Sequence, residues 1–253
     1  MKIGVAGGTD AVARHVADLI RRNGHEPVVL GGSTAPDLLT GAGLAAALEG
    51  VSGVVDVVDT SALSARAARR FFGTTTDALL GAESDAGVRH HVALSIVNAT
   101  SVAAGYYAGK ALQEERVRRG VVPWTILRAT QFHEFAAETL RRGSKGVVAL
   151  VPVMRIQPIA AREVADRLVQ LVLGPPRGQV PDLAGPGEEL LVDMVRAYAR
   201  ATHSRTPIIQ VRVPGGMGAA MRAGGLLPSR NAERGIQSFR AWLDSEVSAR
   251  PAE

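Results

Sequence analysis

Tyr106 and Lys110 stand four apart in the run Tyr106-Tyr107-Ala108-Gly109-Lys110. On a helix that spacing puts both side chains on one face. An ammonium beside a phenol favours the phenolate and lowers its pKa, which suits the phenol to proton transfer. The alternative is an ordinary amphipathic helix with packed tyrosines and a solvated lysine. Upstream, Ser95 offers a hydroxyl that serves either a ligand or the fold, with Asn98, Thr100 and Ser101 as other polar side chains near it. His90-His91 lacks a carboxylate or third histidine at ligand spacing, so no metal site is expected. His133-Glu134 are neighbours whose side chains diverge on a helix.

A second group of residues selects between these readings. The apolar stretch Lys2-Ile3-Gly4-Val5-Ala6 leads into Gly7-Gly8-Thr9-Asp10-Ala11-Val12-Ala13 and a helical run ending at Arg22. Strand, glycine turn and helix in that order suit a pyrophosphate, because a helix N-terminus offers unpaired N–H groups and a positive dipole end. A dinucleotide turn there favours the catalytic reading of Tyr106 and Lys110. Asp10 stands where glycine is usual. A carboxylate about 5 Å from a phosphate repels it by roughly 3 kcal/mol at an effective dielectric of 20. After the second strand, Leu30-Gly31-Gly32-Ser33 has neither the acidic residue of an NAD site nor an arginine for a 2′-phosphate. Ser33, Thr34 or Arg14 could contact that phosphate, which favours NADP(H) over NAD(H).

The elements that must position these residues alternate. Apolar runs at 2–6, 27–30, 54–58, 91–97 and 124–128 read as strands, with helices expected at 11–22, 44–48, 106–119 and 132–142. A long helical region before Gly87 is expected to break near Gly73-Thr74-Thr75-Thr76. Alternation of this kind predicts an α/β doubly wound parallel sheet of Rossmann type, with ligands beyond the carboxyl ends of the strands. Residues 1–145 are expected to form the dinucleotide-binding core. Residues 146–253 are expected to form a small mixed α/β substrate-binding lid, with the helix 161–173 packing back on the core. Within that part, a helix near 188–202, a strand near 207–213 and a terminal helix over 230–246 are expected. Met217 and Met221 are expected to line an apolar pocket or a dimer contact.

The 253 residues can bury a full core, and cysteine is absent, so disulfides and thiolate chemistry are excluded. The net charge is +5, but the paired arginines at 21–22, 69–70, 118–119 and 141–142 fall near expected helix ends, where they complement the dipole. Aromatics at 4% are too few for a nucleic-acid surface. No apolar run reaches the roughly 20 residues of a membrane span, and with a strand expected from Lys2 onward no signal peptide is expected. A soluble, cytoplasmic monomer or homodimer acting on a small molecule is expected, with no nucleic-acid or membrane partner.

Gly7-Gly8-Thr9, the Tyr-Tyr-x-x-Lys run and Pro123-Trp124-Thr125-Ile126-Leu127-Arg128-Ala129-Thr130-Gln131-Phe132 together resemble the NmrA-like, atypical branch of the short-chain dehydrogenase/reductase superfamily. Gln157-Pro158-Ile159 with Arg162-Glu163-Val164-Ala165, and Pro181-Asp182-Leu183-Ala184-Gly185-Pro186, are similar to later segments of that branch. The resemblance implies an NAD(P)H-dependent reductase of an apolar ketone, quinone or enone. It implies that Gly7, Gly8, Thr9, Asp10, Ala11 and Val12 lie against the pyrophosphate, and that Asp59, Thr60 and Ser61 border the adenosine and ribose. Lys110 would hold the nicotinamide ribose, with Ser95 on the cofactor side. Thr130, Gln131 and Phe132 would edge the nicotinamide pocket, His133 would face the substrate and Tyr106 would give the proton. The branch also includes redox-sensing regulators without turnover. A non-redox enzyme such as a cyclase or dehydratase, on a scaffold that no longer binds cofactor, is the third reading.

Overall fold

The structure, a computed structural model, describes residues 1–8, 11–32, 36–62, 64–102, 104–145 and 147–248. In chain order its elements are β1 Lys2–Ala6, α1 Ala11–Arg22, β2 Glu26–Leu30, α2 Leu44–Ala47, β3 Val51–Asp56, α3 Ala65–Asp85, β4 His91–Ile96, α4 Gly105–Arg119 and β5 Trp124–Ala129. There follow α5 Phe135–Gly143, β6 Ser144–Lys145, β7 Val148–Pro152, β8 Arg155–Ile156, α6 Ala161–Leu173, β9 Gly178–Gln179, β10 Leu183–Ala184 and β11 Glu189–Leu190. The remainder are α7 Leu191–Ala201, β12 Ile208–Val211, α8 Gly215–Ala223, β13 Glu233–Arg234 and α9 Phe239–Ser248. They divide into two compact units, Met1–Arg128 with Arg162–Pro181, and Ala129–Ala161 with Asp182–Glu253. That division falls earlier in the chain than the expected boundary at 145, and it joins most of α6 to the first unit.

In the first unit the strands run in the order β2-β1-β3-β4-β5, with β9 beside β5. β1 is parallel to β2 and β3, β3 to β4, and β5 to β9. β1, β3 and β4 are buried along nearly their whole length, as strands covered on both faces must be. Ile3, Val54, Val55, Val92 and Ile126 form their apolar centre.

Two expectations fail here for identifiable reasons. β3 covers 51–56 rather than 54–58, because the Asp56 carboxylate accepts the Val58 N–H at 3.0 Å and turns the chain out of the strand. α3 does not break at 73–76. Thr75 satisfies its hydroxyl on the Phe71 carbonyl at 3.0 Å, and a Cβ on Gly73 would lie 3.2 Å from Leu112 Cδ2, so the glycine lets α4 come close. Helix α4 comes closer still at Gly109, where a Cβ would stand 2.6 Å from Phe72 Cδ2 and 2.8 Å from the Ala68 carbonyl carbon. The arginines 69–70 fall in the second turn of α3, near its N-terminal rather than its C-terminal end.

In the second unit Ala129 pairs with Leu183 of β10, which runs parallel to β13. β7 pairs with β6 and β12, and β8 with β11. Phe132 bridges to Ile159, so α5 starts at Phe135 rather than at 132. The expected terminal helix over 230–246 is shorter at its start: 233–234 is a strand and Ser238 caps α9, accepting the Ala241 N–H at 3.2 Å. Helix α8 was not anticipated in its glycine-rich stretch. Gly218 is needed there, since a Cβ would run into the Val213 carbonyl, and Gly224 ends the helix at φ 81°.

Candidate functional site

The first unit joins two glycine turns. Gly7 and Gly8 follow β1 at φ 144° and 66°, and Gly31 and Gly32 follow β2 at φ 96° and 103°. The Gly7 N–H donates to the Leu30 carbonyl at 3.2 Å, and a Cβ on Gly8 would lie 3.4 Å from the Gly32 nitrogen. A Cβ on Gly7 would meet the Val57 carbonyl at 2.8 Å. These positions accept only glycine without strain. They form a cradle of bare backbone at the carboxyl ends of β1 and β2, next to the start of α1, with the Val57 and Leu38 side chains packed against it. Ala11 opens that helix and Val12 is buried beneath it, with no acidic residue in its described first turn. Thr9, Asp10, Ser33 and Thr34 lie outside the described residues.

Beside the cradle is a cavity of about 210 Å³ lined by Gly31, Gly32, Pro36, Asp37, Leu38, Leu39, Phe71 and Thr75. Among the described residues Asp37 is the one charged residue in that lining. It accepts the Leu39 N–H and the Thr40 hydroxyl, and both bonds hold its carboxyl below the usual carboxylate range. Across β3, Asp59 is exposed and caps the Thr60 N–H, while Thr60 accepts from Ala62 and Ser61 is exposed.

Tyr106 and Lys110 share a face of α4, and both touch Phe72 of α3. The Tyr106 ring meets it edge-on at 5.6 Å, and the Lys110 Nζ stands 4.6 Å from its centroid. Tyr106 is half-buried, while Lys110 is 3% exposed and donates to the Leu94 carbonyl at 2.7 Å. Burial lowers the Lys110 pKa, opposed by the charges of Asp56, Asp59 and Glu114. Ser95 is 4% exposed on the Glu114 side. Its hydroxyl lies outside strict hydrogen-bond geometry but near enough to favour that carboxylate. Burial works against the Glu114 charge, yet hydrogen bonding, from Arg128 foremost, holds its carboxyl below the usual range. Of the other polar side chains after β4, Asn98 has φ 59°, Thr100 accepts from Arg128 at 3.3 Å and Ser101 is exposed.

Beneath these residues is a polar cluster that the sequence did not disclose. His91 Nδ1 donates to Glu83 at 2.9 Å, and its Nε2 stands 3.8 Å from the Asp56 carboxylate. Gln113 donates to Asp56 at 2.7 Å. All four side chains are essentially inaccessible. Burial alone would lower the His91 pKa, but Glu83, with Asp56, outweighs it and raises it. His90 bonds Thr125 at 2.9 Å instead. Among the described residues no group of three ligating side chains could hold a metal, and no helix is long and apolar enough to cross a membrane.

No protein-family model matches the chain, and no curated protein matches its sequence. Solved structures do match. A short-chain dehydrogenase/reductase superfamily protein from Agrobacterium tumefaciens with bound NAD superposes with a TM-score of 0.68 at 18% identity, over 98% of this chain and 97% of that one. The chain has the short-chain dehydrogenase/reductase fold. MoeE5 in complex with UDP-glucose and NAD gives a TM-score of 0.73 at 16% identity, over 98% of each chain. An NADPH-dependent quinone oxidoreductase from Escherichia coli gives 0.67 at 14% identity, over 96% of this chain and 99% of that one. The fold expected from the sequence is therefore the fold observed.

The second unit holds the other expected site residues. Thr130 and Gln131 are buried, and their backbones bond Leu183 and Ile159. His133 is wholly buried, donates Nε2–H to the Gln237 carbonyl at 3.0 Å and packs beside Phe239 and Trp242. Its surroundings within that unit are those of a core histidine, and His133 has no solvent-facing surface. Met217 and Met221 are half-buried on α8.

Proposed function

We propose that the protein is a nicotinamide-dinucleotide-dependent enzyme that reduces a ketone, quinone or enone. The observation that carries this reading is the glycine cradle. Four glycines at positive φ let two turns meet backbone to backbone where β1 and β2 end and α1 begins. That is what a pyrophosphate requires of a backbone. Gly8 and Gly32 suit it because neither sets a side chain of its own against a ligand. Gly7, Gly8 and the first turn of α1 would hold the pyrophosphate, and the cavity lined by Asp37, Leu38 and Phe71 would take the adenosine half. Asp37, with no cation in the same lining, favours NAD(H) over NADP(H), contrary to the preference expected from residues 31–34.

A bound dihydronicotinamide supplies the hydride. The Tyr106 phenol would give the accompanying proton to the carbonyl or quinone oxygen and be recharged from solvent. Tyr106 has the exposure for this role. Lys110 is committed to Leu94, and the proposal assigns it no contact with the cofactor. Placement and proton delivery are the contributions of the chain.

The test is calorimetric titration with NADH and NADPH, followed by NADH oxidation in the presence of quinones and enones. Micromolar binding, with turnover lost a hundredfold or more in Tyr106→Phe at unchanged affinity, supports the proposal. A chain that binds neither dinucleotide refutes it. The burial of Lys110 favours one alternative, a regulator that binds dinucleotide without turnover, and tight binding with no substrate among those classes would select it.

A further inference from the structure

Helix α4 carries three polar side chains on its buried face, and each reaches a different strand. Gln113 donates to Asp56 of β3, Lys110 to the Leu94 carbonyl of β4, and Glu114 accepts a bidentate pair from Arg128 of β5. Each of these bonds is 2.7 Å long. Lys110, Gln113 and Glu114 lie within one helical turn, so the three contacts span three successive strands from one place on the helix. A packed apolar face tolerates small sliding along the sheet. Three directional bonds to three strands do not.

The charges agree with this geometry. Asp56 and Glu83 bring two carboxylates into the interior, and only His91 lies against both. A protonated His91 leaves that group one negative charge in excess. The Lys110 ammonium is the remaining buried cation favoured by Asp56. With all four ionised, two acids and two bases balance within a region closed to water, where burial pushes the Glu83 carboxyl up and the Lys110 ammonium down and each opposite charge works against that.

We infer that Lys110 is a positioning residue, the middle bond of a three-strand clamp that fixes α4 on the sheet and shares the charge balance of the Asp56–His91–Glu83 cluster. The clamp sets where Tyr106 stands, one turn before Lys110, and only that last consequence rests on the proposed reductase function. The groups facing His91 are Glu83 from α3 and Asp56 from β3, with the His90 imidazole just before β4 near enough to feel its charge, and with Gln113 and Lys110 of α4 reaching Asp56 and the β4 carbonyl of Leu94.

The experiment follows the imidazole of His91 by nitrogen-15 NMR across pH in the intact protein and in Lys110→Met, which keeps the length of the side chain and removes its charge. His91→Gln assigns the signal. The clamp predicts that Lys110→Met shifts the His91 titration upward by about half a unit or more, since a cation that shares Asp56 with His91 is gone. It also predicts that Lys110→Met and Asp56→Asn are coupled at least threefold in the unfolding equilibrium constant. An unmoved His91 titration with additive stabilities overturns it, as does a Lys110→Met protein of full stability that has lost only dinucleotide affinity. Should Lys110→Met fail to fold, the ammonium of the unmodified protein is observed directly. A slowly exchanging Lys110 signal unmoved by saturating NADH supports the clamp, and a fast-exchanging one refutes it. A protein that binds no dinucleotide would end the reductase reading, while the titration and the coupling would still decide the clamp.

Discussion

Three helical glycines make opposite predictions from one substitution. Gly81 in α3 has no atom within 4 Å of a built Cβ, Gly73 meets only the far end of the Leu112 side chain at 3.2 Å, and Gly109 in α4 meets Phe72 at 2.6 Å and the Ala68 backbone at 2.8 Å. Alanine in a helix interior is favoured over glycine by about 0.5–1 kcal/mol. Gly81→Ala should realise that gain, which for a chain of this size raises the melting temperature by about 1–4 °C. In Gly109→Ala the same gain is opposed by an overpacking cost of about 1–3 kcal/mol, because backbone rather than a flexible side chain must move. The net loss is of order 1–2 kcal/mol, or about 2–8 °C. Gly73→Ala should fall between, since Leu112 can rotate away. Thermal unfolding followed by circular dichroism ranks the three at once. A Gly109→Ala protein that melts at or above Gly81→Ala would show that α3 and α4 are not in contact along Phe72 and Ala68. The shared Phe72 wall of Tyr106 and Lys110 would fall with that contact.

The remaining predictions concern charge. Because the folded pKa of His91 is raised, its protonation contributes stability that is fully present below about pH 6.5 and is lost as the pH rises through the raised value. His91→Gln should abolish that part of the slope, and denaturation midpoints from pH 5.5 to 9 that fall in parallel for both proteins would contradict it. Asp10→Gly should tighten dinucleotide binding about tenfold or more, by removing a carboxylate from the expected phosphate site; equal affinities by calorimetry would displace the pyrophosphate from that turn. Asp37→Ala should raise the affinity for NADPH relative to NADH severalfold, and an unchanged ratio would remove the adenosine half from the cavity at the end of β2.

How much of this could be read from the sequence depends on the distance over which each cause acts. β1, α1, β4, α4 and α6 lie within a residue or two of where periodicity and glycine punctuation put them, because those signals are local. β3 and the start of α9 departed where one side chain or one distant strand intervened: Asp56 turning back on Val58, and β10 capturing 233–234. The break expected in α3 is absent because Gly73 does not end a helix there; its missing side chain admits Leu112 from another helix. A glycine that ends a helix and one that lets two helices touch carry the same letter.

The site divides along the same line. Gly7 and Gly8 were legible as a turn, and Gly31-Gly32 was legible as a break but not as the other half of one cradle. The polar cluster left no signal, since Gln113 and Asp56 are 57 residues apart and Lys110 and Leu94 are 16 apart. Lys110 shows what such partners change. Its spacing from Tyr106 brings both onto one face of α4, as the sequence requires, but that face lies against Phe72 and the Leu94 carbonyl. Spacing fixes the direction in which a side chain leaves a helix, and the strand beneath determines what it meets. A lysine four residues after a tyrosine is therefore compatible with a ligand contact and with a clamp. The 2.7 Å bond to a main-chain carbonyl, at 3% exposure, is the observation that favours the clamp.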